Sequence, residues 1–157
     1  MTYLLDTNVV SELRRPRPHG GVVDWIQSVD DAELYLASVT IGEIQAGIEI
    51  TREQDLAKAG ELERWLDQVC TTFNILEMNG SAFRCWAQLM HRQSNTLYED
   101  AMIAAIAKVH QLTVVTRNVV DFNGFDVPLL NPFASRNQKL SQTVTGNNSS
   151  SNLLRRR

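Results

Sequence analysis

Apolar residues along this chain follow two rhythms. Compact runs, "YLL" at 3 to 5, "LYLAS" at 34 to 38, "FNIL" at 73 to 76, "LTVVT" at 112 to 116 and "VPLL" at 127 to 130, read as short buried strands. Between them the apolar spacing changes to three and four. "TNVVSELRR" from Thr7 predicts a helix closed by Pro16 and Pro18, and further helices are expected over about 21 to 29, 40 to 50, 81 to 92 and 99 to 110. The clearest helix lies over 54 to 69, where Leu56, Ala59, Leu62, Trp65, Leu66 and Val69 form one stripe with a charged outer side. Strands separated by helical segments need crossover connections, so the sheet should be mainly parallel and covered on both faces. The predicted fold is a three-layer α/β/α sandwich.

Composition narrows this to one domain. A chain of 157 residues, 43% apolar, builds a single core of ordinary size. The domain is expected over residues 1–133. From 134 to 157 the chain is polar, without acidic residues, and ends Arg155, Arg156, Arg157; this tail is expected to be disordered. Residues 1–133 hold all 18 acidic residues and 10 of the 15 basic ones, a formal charge of −8. Such a body does not grip nucleic acid by bulk charge, so contacts to phosphates must run through local arginines or bridging cations. The two cysteines, Cys70 and Cys85, suggest neither a disulfide framework nor a zinc site. No stretch nears the ~18 apolar residues of a membrane span, and the N-terminal run is broken by Asp6 without a basic leader, so a cytoplasmic protein is expected.

The candidate chemistry lies in four dispersed carboxylates. Asp6 closes the first strand, and Asn118 and Asp121 follow the "TVVT" strand; ligands gather at the carboxyl ends of strands in open parallel sheets. Asp6 reads equally well as a helix N-cap. Glu43 completes a "TIGE" capping box with Thr40, yet Ala46, Gly47 and Ile50 place it along a face that should be buried, where an ionised carboxylate is costly unless paired or metal-bound. Asp100 shares its face with Ile103, Ala104 and Ala107, while Glu99 beside it is expected to point elsewhere. If Asp6, Glu43, Asp100 and Asp121 converge, oxygen ligands without His or Cys suit Mg²⁺ or Mn²⁺ and phosphoryl hydrolysis. Asp6 and Asp100 are then the expected metal ligands. Arg14, Arg15, Arg17 and Arg117 are candidates for guiding phosphates, although the first three serve equally as a solvated helix C-terminus.

Taken in order, "LLDTNVVSEL", "TIGEIQAGI", "EDAMIAAIA", "TRNVVDF" and "LLNPF" resemble the motifs of PIN-domain ribonucleases, and within them the VapC-type and FitB-like toxins of bacterial type II toxin–antitoxin modules. The resemblance spans residues 3 to 133. It implies an endoribonuclease that uses Mg²⁺ or Mn²⁺ to activate water, with Asp6, Glu43 and Asp100 in three of four acidic positions. Many relatives carry aspartate directly after "TR", where this chain has Asn118, so the fourth carboxylate is expected from Asp121 instead. Thr7, Asn8 and Thr116 match positions that orient ligands or water. The resemblance further implies a homodimer, an antitoxin whose C-terminal segment wraps the toxin, RNA as substrate, and operator DNA bound only through the antitoxin. Two other readings are a catalytically inactive PIN-like binding protein, suggested by Asn118, and a haloacid-dehalogenase-like phosphatase. The phosphatase motif needs a second acid where this chain has Asn8.

Overall fold

The computed structural model describes residues 1–134, and the tail expected from 134 onward lies outside them apart from Ala134. Five strands form one all-parallel sheet: β1 (Tyr3–Leu5), β2 (Leu34–Ala37), β3 (Asn74–Leu76), β4 (Thr113–Val115) and β5 (Leu129–Leu130), in the spatial order β3-β2-β1-β4-β5. Tyr3 pairs with Leu34 on one side and Thr113 on the other, so β1 is central. Successive strand residues face opposite sides of the sheet, and the sequence uses both faces. Leu5, Leu34, Leu36 and Val115 pack beneath α1 (Thr7–Leu13), α2 (Gly20–Gln27), α3 (Ser38–Arg52) and α4 (Leu56–Thr72). Leu4, Ala37 and Val114 pack beneath α5 (Gly80–Met90), α6 (Tyr98–His110) and α7 (Val119–Phe122). This is the expected three-layer sandwich. Buried on both faces, the strands contain little besides apolar residues, which is why compact runs rather than alternation marked them.

Two local readings are corrected, and one element is new. The capping box does not form: α3 follows β2 without a loop, Ala37 occupies the N-cap position with no side-chain cap, and Thr40 lies inside the first turn, fully buried. The face of α3 bearing Ala46, Gly47 and Ile50 is open rather than buried, with Ile50 65% exposed; Thr40 and Ile48 are buried instead. The segment after Asn118 forms α7, a single helical turn that runs on into a 3₁₀ turn over Asn123–Phe125. A segment this short carries no helical period, but it buries Phe122 and Phe125 and sets Asp121 in its first turn.

The sequence's order of strands places a switch in chain direction between β1 and β4. The chain moves outward from β1 to β2 and β3, then returns to β4 on the other side of β1. At such a switch the connections leave the carboxyl ends of neighbouring strands in opposite directions, which opens a crevice.

Candidate active site

Asp6 sits at the carboxyl end of β1, in that crevice, and is 4% exposed. Its Oδ1 accepts from the Thr7 amide at 2.8 Å, the expected capping contact for α1. Oδ2 accepts from the Thr116 hydroxyl at 2.8 Å and from Asn8 Nδ2 at 3.0 Å. The N-cap role and a place in an acidic site therefore coexist, one on each oxygen. Thr116 also accepts from the Asn118 amide at 2.9 Å, and Asn8 Oδ1 accepts from the Arg117 amide at 3.1 Å. This network binds the end of β1 to the end of β4. Even so, burial raises the Asp6 pKa, with a smaller contribution from the Asp121 charge, and outweighs the three hydrogen bonds that lower it.

Glu43 enters from α3. Among the described residues its Oε1 is the one buried side-chain polar atom without a hydrogen-bond partner. The adjacent Thr7 hydroxyl donates to Thr40 Oγ1 at 3.3 Å. Desolvation, followed by the charge of Asp6, pushes the Glu43 pKa up to about 7, with Thr7 opposing and Glu99 and Asp100 adding to the rise. Asp100, in the first turn of α6, is raised to about 6 by burial and then by Asp6, Asp121 and Glu99. Ile103, Ala104 and Ala107 on its face are buried, as the spacing predicted. Asp121 is exposed, and its charge acts on both Asp6 and Asp100. Asn118, also exposed, caps α7 through no side-chain bond.

The structure thus brings Asp6, Glu43, Asp100 and Asp121 into one electrostatic cluster and adds a fifth carboxylate. Glu99 does not point away: it lines an opening of about 550 Å³ together with Glu43, Val39 and Ile50, and it repels both Glu43 and Asp100. Helical spacing misassigned it because that rim is solvent-exposed and carries no apolar pattern. Glu43 also lines a second cleft of about 290 Å³, between α1, α3 and α4, with Arg14, Ser11 and Trp65. Arg15 pairs with buried Glu12 at 3.4 Å, so it holds the end of α1 rather than facing the cluster.

The donors are hard carboxylate, hydroxyl and amide oxygens, and the orphaned Glu43 Oε1 is the kind of atom that an ion or ordered water satisfies. The residue chemistry fits a hard divalent cation, although among the described residues no three His, Cys, Asp or Glu side chains stand at a shared metal-ligating spacing.

A parallel sheet in this order, with carboxylates from β1, α3, α6 and α7 gathered at its switch point, defines an acidic α/β domain, and the PIN domain family model matches residues 3–123. The chain belongs to the PIN domain family. It is 34% identical over 137 residues to the protein named Toxin FitB of Neisseria gonorrhoeae, covering 83% of this chain and 97% of that one. It is 43% identical over 67 residues to Ribonuclease VapC14 of Mycobacterium tuberculosis, covering 43% of this chain and 65% of that one. The crystal structure of FitAcB from Neisseria gonorrhoeae superposes with a TM-score of 0.76 at 33% identity, covering 85% of this chain and all of that one. No helix among the described residues is long and apolar enough to cross a membrane.

Proposed function

We propose that this protein is the toxin of a toxin–antitoxin module and an endoribonuclease that uses Mg²⁺ or Mn²⁺. The observation that carries the reading is the orphaned Glu43 oxygen inside a cluster of carboxylates whose pKa values are raised by burial first and by mutual repulsion second. Such a cluster is unfavourable by itself and becomes favourable around a cation. Relatives named as a ribonuclease and as a toxin support it.

Asp6 and Asp100 would hold the cation, with Glu43 and Asp121 holding waters around it. A bound divalent ion lowers the pKa of a water and offsets charge developing on the phosphate. The remaining work falls to this chain's own groups. Thr116 and Asn8 fix Asp6 in one rotamer, and Asn118 supports Thr116 through its amide. Asp121 takes the fourth acidic position in preference to Asn118, because its charge is felt at both Asp6 and Asp100.

An antitoxin partner follows from the same reading, and the solved relative FitAB is described as bound to a DNA fragment. Operator DNA would be contacted through the antitoxin, in keeping with the acidic body, and a homodimer is the expected assembly. The phosphatase reading is disfavoured, since the position of its second acid holds Asn8, which donates to Asp6.

Purified protein free of antitoxin, incubated with total cellular RNA in Mg²⁺, Mn²⁺ or EDTA beside the Asp6→Asn variant, tests the proposal. Discrete metal-dependent products missing from the variant are expected. Absence of products with either metal favours the binding-only reading.

A further inference from the structure

Arg117 follows β4 directly, one residue from Thr116, at the edge of a cluster of five carboxylates. Yet it forms no ion pair among the described residues. Nor does it figure among the charges that set the Asp6, Glu43 or Asp100 titration. It lies instead over the Phe133 ring, 3.8 Å from the centroid. Stacking uses the flat face of the guanidinium and leaves its in-plane N–H donors directed outward.

The stacking platform is built in from several directions. The Phe133 amide donates to Asn131 Oδ1 at 3.0 Å, which turns the chain after β5. The Phe133 ring also meets His19 at 5.3 Å between centroids. His19 Nδ1 accepts from the Gly21 amide at 3.1 Å. Gly21 itself lies so close to the Pro132 carbonyl that a Cβ there would stand 2.6 Å from the oxygen, so the start of α2 and the Asn131–Phe133 segment are locked together. The Arg117 backbone is fixed as well, its amide donating to Asn8 Oδ1 at 3.1 Å. Both the root and the head of the arginine are therefore held, the root by the Asp6 network and the head by Phe133.

Resting on the nuclease reading above, we infer that Arg117, presented by Phe133, forms a subsite for a backbone phosphate of the RNA strand beside the acidic centre. A polyanion approaching five carboxylates meets repulsion, and a cation kept out of pairing with them supplies an attractive contact at that edge. A fork of fixed N–H donors suits phosphate oxygens, and phosphate contacts set register without reading sequence.

The test measures binding of a fluorescent single-stranded RNA in EDTA, across a salt series, with steady-state cleavage in Mg²⁺ alongside. Arg117→Ala is expected to weaken binding about tenfold, the worth of one charge-assisted hydrogen bond. It should also flatten the slope of log K against log salt by about 0.7, as for one lost single-strand phosphate contact. Cleavage should lose affinity for RNA more than turnover. Arg117→Lys should keep the slope and lose part of the affinity, and Phe133→Leu should fall between wild type and Arg117→Ala. Thermal melting of each variant checks that the fold is kept. Equal affinity and slope for wild type and Arg117→Ala overturn the inference and make the arginine a structural staple. RNA bound through Arg117 but never cleaved would remove the nuclease reading and leave this subsite standing; cleavage indifferent to Arg117 would do the reverse.

Discussion

Asp6 and Glu43 are neighbouring acids in one crevice, yet the protein treats them in opposite ways. Asp6 is surrounded by donors: a backbone amide, a hydroxyl and a side-chain amide meet its two oxygens. Glu43 has a buried oxygen that meets nothing. The first is a fixed element of the fold, tying β1 to β4 as well as capping α1. The second has one oxygen, Oε1, left unmatched, with Thr7 only partly offsetting its burial, and that cost is borne by the rest of the fold. The difference implies that an amide at each position should change stability in opposite directions: both substitutions relieve the burial of a charge and like-charge repulsion, but only at Asp6 does the amide set a donor against donors already in place.

Asp6→Asn gives the largest effect. Cleavage should be abolished, because the variant lacks the charge at the centre of the cluster. Stability should also fall, by about 1 kcal/mol, because an amide NH₂ in either orientation faces an existing donor, Thr7 N on one side or Asn8 Nδ2 on the other. Product analysis and thermal melting check both halves. A variant that melts higher than wild type would break the contrast between the two acids.

Next comes the fourth carboxylate. Asp121→Asn should impair cleavage severely and Asn118→Asp should not restore it, because the Asp121 charge reaches Asp6 and Asp100 while the Asn118 contribution is its backbone amide. Initial rates of the single and double variants decide it, and rescue by Asn118→Asp would transfer the role. Thr116→Val, which keeps the shape of a fully buried side chain and removes its hydroxyl, should reduce kcat/KM by about 10–100-fold, the usual effect of losing a group that orients a ligand. An unchanged kcat/KM would mean that Asn8 and Thr7 suffice to hold Asp6.

Legibility in the sequence follows the same divide. The strands and long helices were readable because burial on one or two faces imposes a period, and Asp100 was readable because Ile103, Ala104 and Ala107 share that burial. Glu43 was singled out by an argument that fails at its premise, since Ala46, Gly47 and Ile50 face an opening. What buries the Glu43 Oε1 is tertiary packing around the acidic cluster, which no helical period records. The Thr40 capping box was locally sensible and was overridden when α3 followed β2 without a loop. Glu99 and Phe133 gain their significance from neighbours far away in the chain, whereas Arg117 is a candidate from its place after the "TVVT" strand and only its stacking on Phe133 needs the assembled sheet.

The smallest effect is the most diagnostic of the contrast. The Glu43 carboxyl has an ordinary value of 4.5 and is raised to about 7 in the folded protein, so over that interval the folded chain keeps a proton that the unfolded chain releases. Stability of metal-free protein should therefore decline as pH rises from about 4.5 to about 7 and level off above it. Asp100, raised from 3.8 to about 6, contributes in the same direction at slightly lower pH. Glu43→Gln removes the larger share: melting curves in EDTA should converge with wild type near pH 4.5 and lie above it beyond pH 7. Partial solvent access to Glu43 keeps the gain modest. Added Mg²⁺ should then stabilise wild type more than the variant at the higher pH, because only the wild type has a charge there to satisfy. Parallel curves at every pH, with or without metal, would show that the unpaired oxygen carries no cost, and the contrast with Asp6 would reduce to a difference in hydrogen-bond count.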